Sequence, residues 1–329
     1  MKVGLMGLGS WGTVVGILLA RDGHRVAGWT RRPEHRDALR REKENRKYLP
    51  GNEFPDLLQI VDRPDQAVDE SEIVVFAVPS QAVRETALAV RDHLGPVPVV
   101  NLAKGLERDS IKRMLEVLGE TLAPGTKTAS LVGPSHAEEV IRDHPTAVVA
   151  TSEDASVAET VQRVFSIDNF RVYTNRDTVG VELAVALKNV IAVAAGVSRG
   201  LGYGDNTLGT LITRGLAEMT RLGCAAGAEP ETFFGLAGVG DLVTTCGSPH
   251  SRNRRLGEAV GRGVPLEEAL RGLGMVAEGV ATTAAARELA RRTGTEMPIV
   301  EQMYGVLFEK KPPQRALRDL MAREPRAEA

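Results

Sequence analysis

A glycine triplet near the start of the chain constrains its fold more than any other feature. KVGLM, an apolar run of strand length, leads directly into Gly7-Leu8-Gly9-Ser10-Trp11-Gly12, and TVVGILLAR follows with helical spacing. In a strand–turn–helix unit each glycine has its own physical task. Gly7 permits the tight turn, Gly9 lets the backbone approach a pyrophosphate, and Gly12 allows close helix–strand packing. The N-terminus of the helix expected over Thr13–Arg21 then offers unpaired N–H groups and a positive dipole end to phosphate oxygens. A lone GxGxxG can be a merely structural turn; a strand before it and a helix after it favour a dinucleotide site.

The first half of the chain alternates short apolar runs with helical patterns, as a doubly wound α/β sheet requires. HRVAGW, EIVVFAV, PVVNLA, TASLV and TAVVA have the apolar character of buried strands, while QAVRETALAVRDHL and SIKRMLEVLGETL have helical spacing. Near FRVYTNRDTVG the composition changes, and helices without obvious strands are expected at 178–198, 206–223, 252–262, 265–271, 279–293 and 299–307. With 329 residues, two domains are expected. Residues 1–178 form a dinucleotide-binding domain and residues 179–329 a helical substrate and catalytic domain. The fold class is α/β, an N-terminal Rossmann-type doubly wound sheet joined to a C-terminal all-helical domain. The polar tail after Lys311 is expected to fray.

Bulk properties exclude several function classes. A net charge of −2 gives no general pull toward nucleic acid or anionic membrane, and 4% aromatic content argues against base-stacking surfaces. The chain opens in MKVGLMGLG without a basic n-region, apolar h-region and cleavage site, so a cytoplasmic location is expected. No apolar run reads as both long and uninterrupted enough to span a bilayer, so no integral membrane association is expected. Cys224 and Cys246 form no CxxC pair, and six scattered histidines show no metal-ligand spacing, so no metal is expected.

In VELAVALKNVIAVAAGV, from Val181 to Val197, only Glu182, Lys188 and Asn189 are polar. A helix apolar nearly all round is buried, and a lysine is almost never buried unless it is paired or used. Desolvation favours the neutral amine, which suits a lysine to proton transfer near neutral pH. The bland alternative is a snorkelling or ion-paired lysine, with Glu182 as the obvious local partner.

Further candidates lie where strands or loops end. Trp29-Thr30-Arg31-Arg32 closes the second strand without the acid that would take a ribose 2′-hydroxyl. Two guanidinium groups suit a 2′-phosphate, so NADP(H) is favoured, with NAD(H) as the alternative; either arginine could instead be a solvated loop residue. Lys104, at the end of VVNLA, could meet an anionic or carbonyl oxygen, or simply be solvated. Gly133-Pro134-Ser135 could hold a small polar substrate, or Ser135 could be a plain N-cap. In GVGDLVTTCGSPHSRNRR, a Gly-rich loop, Asp241 could orient Lys188 or a substrate hydroxyl. Ser251 looks like an N-cap, Arg252 offers a fork for phosphate, and Asn253 offers an amide donor. A capped surface helix with solvated arginines is the alternative there.

Together these blocks resemble the bacterial NAD(P)-dependent glycerol-3-phosphate dehydrogenase family. The matching residues are GLGSWG at 7–12, VPS at 78–80, NLAKGLE at 101–107, GPSHAEEV at 133–140, ALKNVIAVAAG at 186–196, GVGDLVTTC at 238–246, SRNRRLG at 251–257 and VAEG at 276–279. The resemblance implies Lys188 as general acid/base and Lys104 in contact with both cofactor and substrate. It implies that Gly133, Ser135, Asp241, Ser251, Arg252 and Asn253 line the substrate site. It also implies dinucleotide contacts from Ser10, Trp11, Arg31, Arg32, Tyr48, Ala137, Val276 and Glu278, with Arg252 reaching the cofactor as well. His136 departs from the aromatic that many members carry after the GPS block. The expected reaction interconverts dihydroxyacetone phosphate and sn-glycerol 3-phosphate, supplying glycerol phosphate for phospholipids. A β-hydroxyacid dehydrogenase and a non-catalytic NADP(H)-binding sensor are the competing readings. The apolar helices leave room for a homodimer.

Overall fold

The computed structural model describes residues 1–324, which divide into two compact units. The first comprises Met1–Glu107 and Lys112–Glu182; the second comprises Arg108–Ile111 and the chain from Leu183 onward.

The first unit is built on alternating strands and helices. In order these are β1 (Lys2–Met6), α1 (Ser10–Arg21), β2 (Arg25–Trp29), α2 (Pro33–Glu42), β3 (Leu58–Ile60), α3 (Pro64–Val68), β4 (Ile73–Phe76) and α4 (Val83–Val90). They continue with β5 (Val99–Asn101), α5 (Met114–Thr121), β6 (Thr128–Val132), α6 (Ala137–Val140), β7 (Thr146–Thr151), α7 (Ala155–Phe165) and β8 (Phe170–Asn175). The eight strands form one sheet in the order β3-β2-β1-β4-β5-β6-β7-β8. The strand order reverses between β1 and β4, and ligands of open α/β sheets bind beyond the strand carboxyl ends at such a switch point.

Both faces of the sheet are covered, so its central strands are apolar throughout rather than alternating. Successive side chains go to opposite cores. Val3, Leu5, Ile73, Val75 and Val100 join the cluster that includes Val14 and Ile17 of α1. Met6, Val74, Phe76 and Val99 join the one that includes Val83 and Ala87 of α4.

The sheet is mostly parallel, with β7 running antiparallel to its neighbour β6. The link between them holds only the single turn of α6, too little for the usual helical crossover to a parallel neighbour. The helical pattern over SIKRMLEVLGETL begins only at Met114, after Ile111 takes a left-handed φ of 64°. Helix α1 starts at Ser10, within the glycine motif itself rather than at Thr13.

The second unit is helical. After α8 (Thr178–Gly200) come α9 (Asp205–Ala225), α10 (Asp241–Gly247), α11 (Arg252–Gly261), α12 (Leu266–Leu273), α13 (Glu278–Thr293), α14 (Pro298–Phe308) and α15 (Pro313–Met321). By length and composition α8 could cross a bilayer, its mean hydropathy reaching 1.7, contrary to the sequence expectation. Three polar residues in so long an apolar run do not lower its average enough. Yet 94% of that window is buried inside the protein, which makes α8 a core helix. It packs backbone to backbone on α11: a Cβ on Gly196 would strike Arg254 O, and one on Gly257 would strike Val193 O. Glycine at both positions therefore sets how closely the start of α11 approaches the middle of α8.

Two further expectations fail here. GVGDLVTTC is not a loop. Leu236–Gly240 form a wide π-type turn that runs into α10, whose Leu242, Thr245 and Cys246 are buried. The polar stretch after Lys311 does not fray over residues 313–321, where α15 buries Ala316. The last part of that tail, residues 325–329, lies outside the described residues.

Candidate active site

The glycine turn is a cradle held open. Gly7 takes φ 110°, donates its N–H to Trp29 O at 2.8 Å, and leaves no room for a side chain against Ala77 O. A Cβ on Gly12 would run into Gly7 O. Around Gly9, by contrast, no atom lies within 4 Å of where a Cβ would stand. The turn is braced from below. Asn45, fully buried, donates from Nδ2 to Leu8 O at 3.0 Å and to Thr13 Oγ1 at 2.7 Å. His35 Nε2 sits 3.2 Å from Leu8 O, and burial holds its imidazole below the usual range.

No side chain caps α1, and the buried Ser10 Oγ and Trp29 Nε1 have no hydrogen-bond partner. Buried polar groups are normally satisfied. An uncapped helix N-terminus, open space over Gly9 and an orphaned hydroxyl beside it fit a pyrophosphate group. Trp11 turns its ring to Phe170, centroids 6.0 Å apart, so its indole packs on the core while its N–H stays in the first turn.

At the end of β2, Arg31 and Arg32 flank the start of α2. Arg31 Nη1 lies 3.1 Å from Glu85, both side chains about 70% exposed. Arg32 bonds Tyr48 OH, its guanidinium 6.0 Å from the centre of that ring. Lys47 Nζ lies 5.2 Å from the same centre, so two cations gather beside one aromatic ring near the N-terminus of α2. These features suit an anion.

Lys104, Gly133 and Ser135 come together at the ends of β5 and β6. Lys104 Nζ donates to Gly133 O at 2.5 Å and to Ser135 Oγ at 3.4 Å, and Ser135 Oγ donates to Gly133 O at 2.9 Å. Ser135 is not an N-cap, since His136 occupies that position of α6 and Ala137 opens the helix. Its hydroxyl belongs to the lysine cluster.

In the second unit Lys188 is paired, but not with Glu182. Its Nζ donates to Asp241 Oδ1 at 3.1 Å and to Thr245 Oγ1 at 2.6 Å, and Thr245 Oγ1 donates in turn to Asp241 at 3.2 Å. Side-chain exposure of the pair is 6% and 2%. A buried ion pair is stability-neutral at best against apolar packing, so its presence asks for another explanation. Glu182 instead accepts from Leu115 N and Ser130 Oγ and pairs with Arg113 at 3.2 Å. Burial pushes the Cys246 thiol, beside Thr245, up to about 12, which leaves it a poor nucleophile at neutral pH.

Asn189, next to Lys188, accepts from Asn253 Nδ2 at 2.8 Å, while Asn253 Oδ1 accepts the Gly279 N–H at 2.9 Å. The Asn253 amide, expected as a ligand donor, thus ties α8, α11 and the start of α13 together. Ser251 is the N-cap expected: its Oγ accepts from Arg254 N at 3.2 Å, and Arg252 opens α11 at the surface. Val276 is exposed just before α13, which begins at Glu278.

The sequence reading does not single out Thr245, and it marks Asn189 only as a polar residue of its helix. Thr245 had a usable signal, because it follows Asp241 by four residues and on a helix the two share a face. Taking DLVTT for a loop hid it.

Comparison with known proteins agrees throughout the chain. Residues 2–158 match the family described as NAD-dependent glycerol-3-phosphate dehydrogenase N-terminus, and residues 177–318 its C-terminus. A glycerol-3-phosphate dehydrogenase [NAD(P)+] of Chlorobium limicola is 52% identical, covering 100% of this chain and 99% of its own length. One from Chlorobium phaeobacteroides is 51% identical over 100% and 99%. The crystal structure of a glycerol-3-phosphate dehydrogenase from Coxiella burnetii superposes with a TM-score of 0.94 at 36% identity, covering 98% and 99%.

Proposed function

The chain belongs to the NAD-dependent glycerol-3-phosphate dehydrogenase family, and from that premise we propose which of its residues carry the reaction. It is an NAD(P)-dependent oxidoreductase that interconverts dihydroxyacetone phosphate and sn-glycerol 3-phosphate, supplying glycerol phosphate for phospholipid synthesis. When bound, the nicotinamide supplies or accepts the hydride. The glycine turn at Gly7, Gly9 and Gly12, with the N-terminal turn of α1 at Ser10 and Trp11, would hold the pyrophosphate. Arg31, Arg32 and Tyr48 would take a 2′-phosphate, which favours NADP(H) over NAD(H). Ala137, Val276 and Glu278 would complete the dinucleotide contacts. Residues 1–178 bind the dinucleotide and residues 179–329 bring the proton donor.

The observation that carries this reading is the buried amine of Lys188, held by Asp241 and Thr245 in an otherwise apolar helix. In the reductive direction negative charge grows on the substrate carbonyl oxygen. Lys188 stabilises that charge and delivers a proton, and Asp241 and Thr245 keep the amine in one rotamer. Lys104, set by Gly133 and Ser135, is a second cation for substrate and cofactor. Arg252, at the N-terminus of α11 opened by Ser251, binds the phosphate, so remote binding energy orients the reacting carbon. Asn253 supports that grip from the α11 side. A homodimer is part of the same proposal, as the apolar helices leave room for one. A cytoplasmic enzyme acting on a soluble metabolite completes the proposal.

The test is NADPH consumption followed at 340 nm with dihydroxyacetone phosphate, compared with NADH and with a 3-keto carboxylate. Turnover of the triose phosphate with preference for NADPH is expected. Turnover of the carboxylate alone would overturn the substrate assignment.

A further inference from the structure

Lys104 leaves the sheet on a loop that one buried side chain holds. Asn101, the last residue of β5, is fully buried. Its Oδ1 accepts the Ala103 N–H at 3.0 Å, and its Nδ2 donates to Ala103 O at 3.0 Å and to Ser130 Oγ at 3.1 Å. Holding both the N–H and the C=O of one residue fixes the orientation of the peptide that leads into Lys104.

The partner strand completes the arrangement. Asn101 and Ser130 are paired in the parallel register of β5 and β6. Lys104 stands three residues beyond one, and Gly133, which its amine contacts, three residues beyond the other. Ser130, also fully buried, donates to Glu182 Oε1 at 2.9 Å. Glu182, 4% exposed, accepts from Leu115 N at 3.1 Å and pairs with Arg113 at 3.2 Å. A polar chain therefore runs through a region where strand residues are otherwise apolar. Burying such groups costs more than burying hydrocarbon of the same shape, even when every bond is made. What the chain accomplishes is to lock two strand ends in register and set one loop peptide.

We propose that the buried Asn101–Ser130–Glu182 relay positions the Lys104 amine for the substrate, which makes Asn101 a positioning residue for the reaction. The inference rests on the reading above that Lys104 touches substrate. A lysine has a long flexible stem, and a misplacement of about 1 Å at a charged group can cost about a hundredfold in rate.

A double-mutant cycle in the full-length enzyme tests it. Wild type, Asn101→Ala, Lys104→Ala and the double variant are compared for kcat and KM with dihydroxyacetone phosphate at saturating NADPH, alongside thermal midpoints. Lys104→Ala is expected to lower kcat/KM by about a hundredfold or more, and Asn101→Ala by about tenfold. In the Lys104→Ala background the second substitution should cost less than about twofold, because nothing is left to position. A merely structural Asn101 would impose the same factor in both backgrounds, and that result overturns the proposal. A Lys104→Ala enzyme of normal activity removes the premise and the relay's purpose together, and the single variant identifies that failure. Should Asn101→Ala fold poorly, Ser130→Ala cuts the middle link and enters the same cycle. A loss of about threefold that vanishes without Lys104 supports the relay, and an equal loss in both backgrounds or none in either refutes it.

Discussion

Two buried glutamates each contribute stability that falls as pH rises. Glu182 stands at the first turns of α8, bonded to Ser130, Leu115 N and Arg113. Glu218 lies buried on α9 and accepts the Ile299 N–H at 2.8 Å, at the start of α14. Burial outweighs these bonds and raises each carboxyl from 4.5 to about 7. Between those two values the folded state holds a proton that the unfolded chain has released. The stability each carboxyl contributes therefore declines from about pH 4.5 to about pH 7 and levels off above it. At about 1.36 kcal/mol per pH unit, each contributes about 3 kcal/mol over the whole window, most of it lost between pH 5 and pH 8.

Glu182→Gln removes the titration while keeping size and hydrogen-bonding atoms; the Arg113 pair forms only with the ionised carboxylate and is already part of that titration. Urea unfolding followed by circular dichroism at pH 5, 6, 7 and 8 gives the difference between variant and wild type. That difference should move in the variant's favour by roughly 2 to 3 kcal/mol across the series. A difference independent of pH, or one moving the other way, would refute the reasoning. Glu218→Gln should behave alike, and the two should add, since they share no partner.

Other substitutions test the site. Gly12→Ala drives a methyl into Gly7 O and should abolish NADPH binding in a fluorescence titration; retention of wild-type affinity would show the turn is not the dinucleotide cradle. Arg252→Ala should raise the KM for dihydroxyacetone phosphate by about tenfold to a hundredfold, the worth of a charge-assisted phosphate contact, and an unchanged KM places the phosphate elsewhere. Asp241→Asn keeps the shape of the Lys188 pocket but removes its counter-charge. It should lower kcat/KM by about a hundredfold, whereas an enzyme within twofold of wild type would show that the pair is structural.

Much of this architecture was legible because local chemistry dictated it. A strand, three glycines at fixed offsets and a helix leave few alternatives, and Ser251 before an arginine-rich helix reads as the cap it is. The second unit's long helices likewise declare themselves by period. What escaped was whatever depends on distant chain. Glu182 seemed the partner of Lys188 because it lies on the same helix, but six residues of α-helix carry the two to different faces. The true partner, Asp241, comes from α10, which its glycine-rich approach disguised as a loop. Gly238 is there because a Cβ would strike Phe233, a packing constraint invisible in one dimension. β3 is too short for any period to show, and the antiparallel turn of β7 depends on a one-turn connection. Asn101 looked like one more strand residue, since nothing in a strand pattern distinguishes a clamp from filler.

The proposed reaction turns on the proton that Lys188 delivers. Its most direct measurement is single-turnover oxidation of bound NADPH by dihydroxyacetone phosphate in Lys188→Ala, with NADPH affinity measured on the same protein. Affinity should stay within about threefold of wild type while the rate falls by about a thousandfold or more. A variant that binds NADPH and oxidises it within tenfold of the wild-type rate would contradict the account.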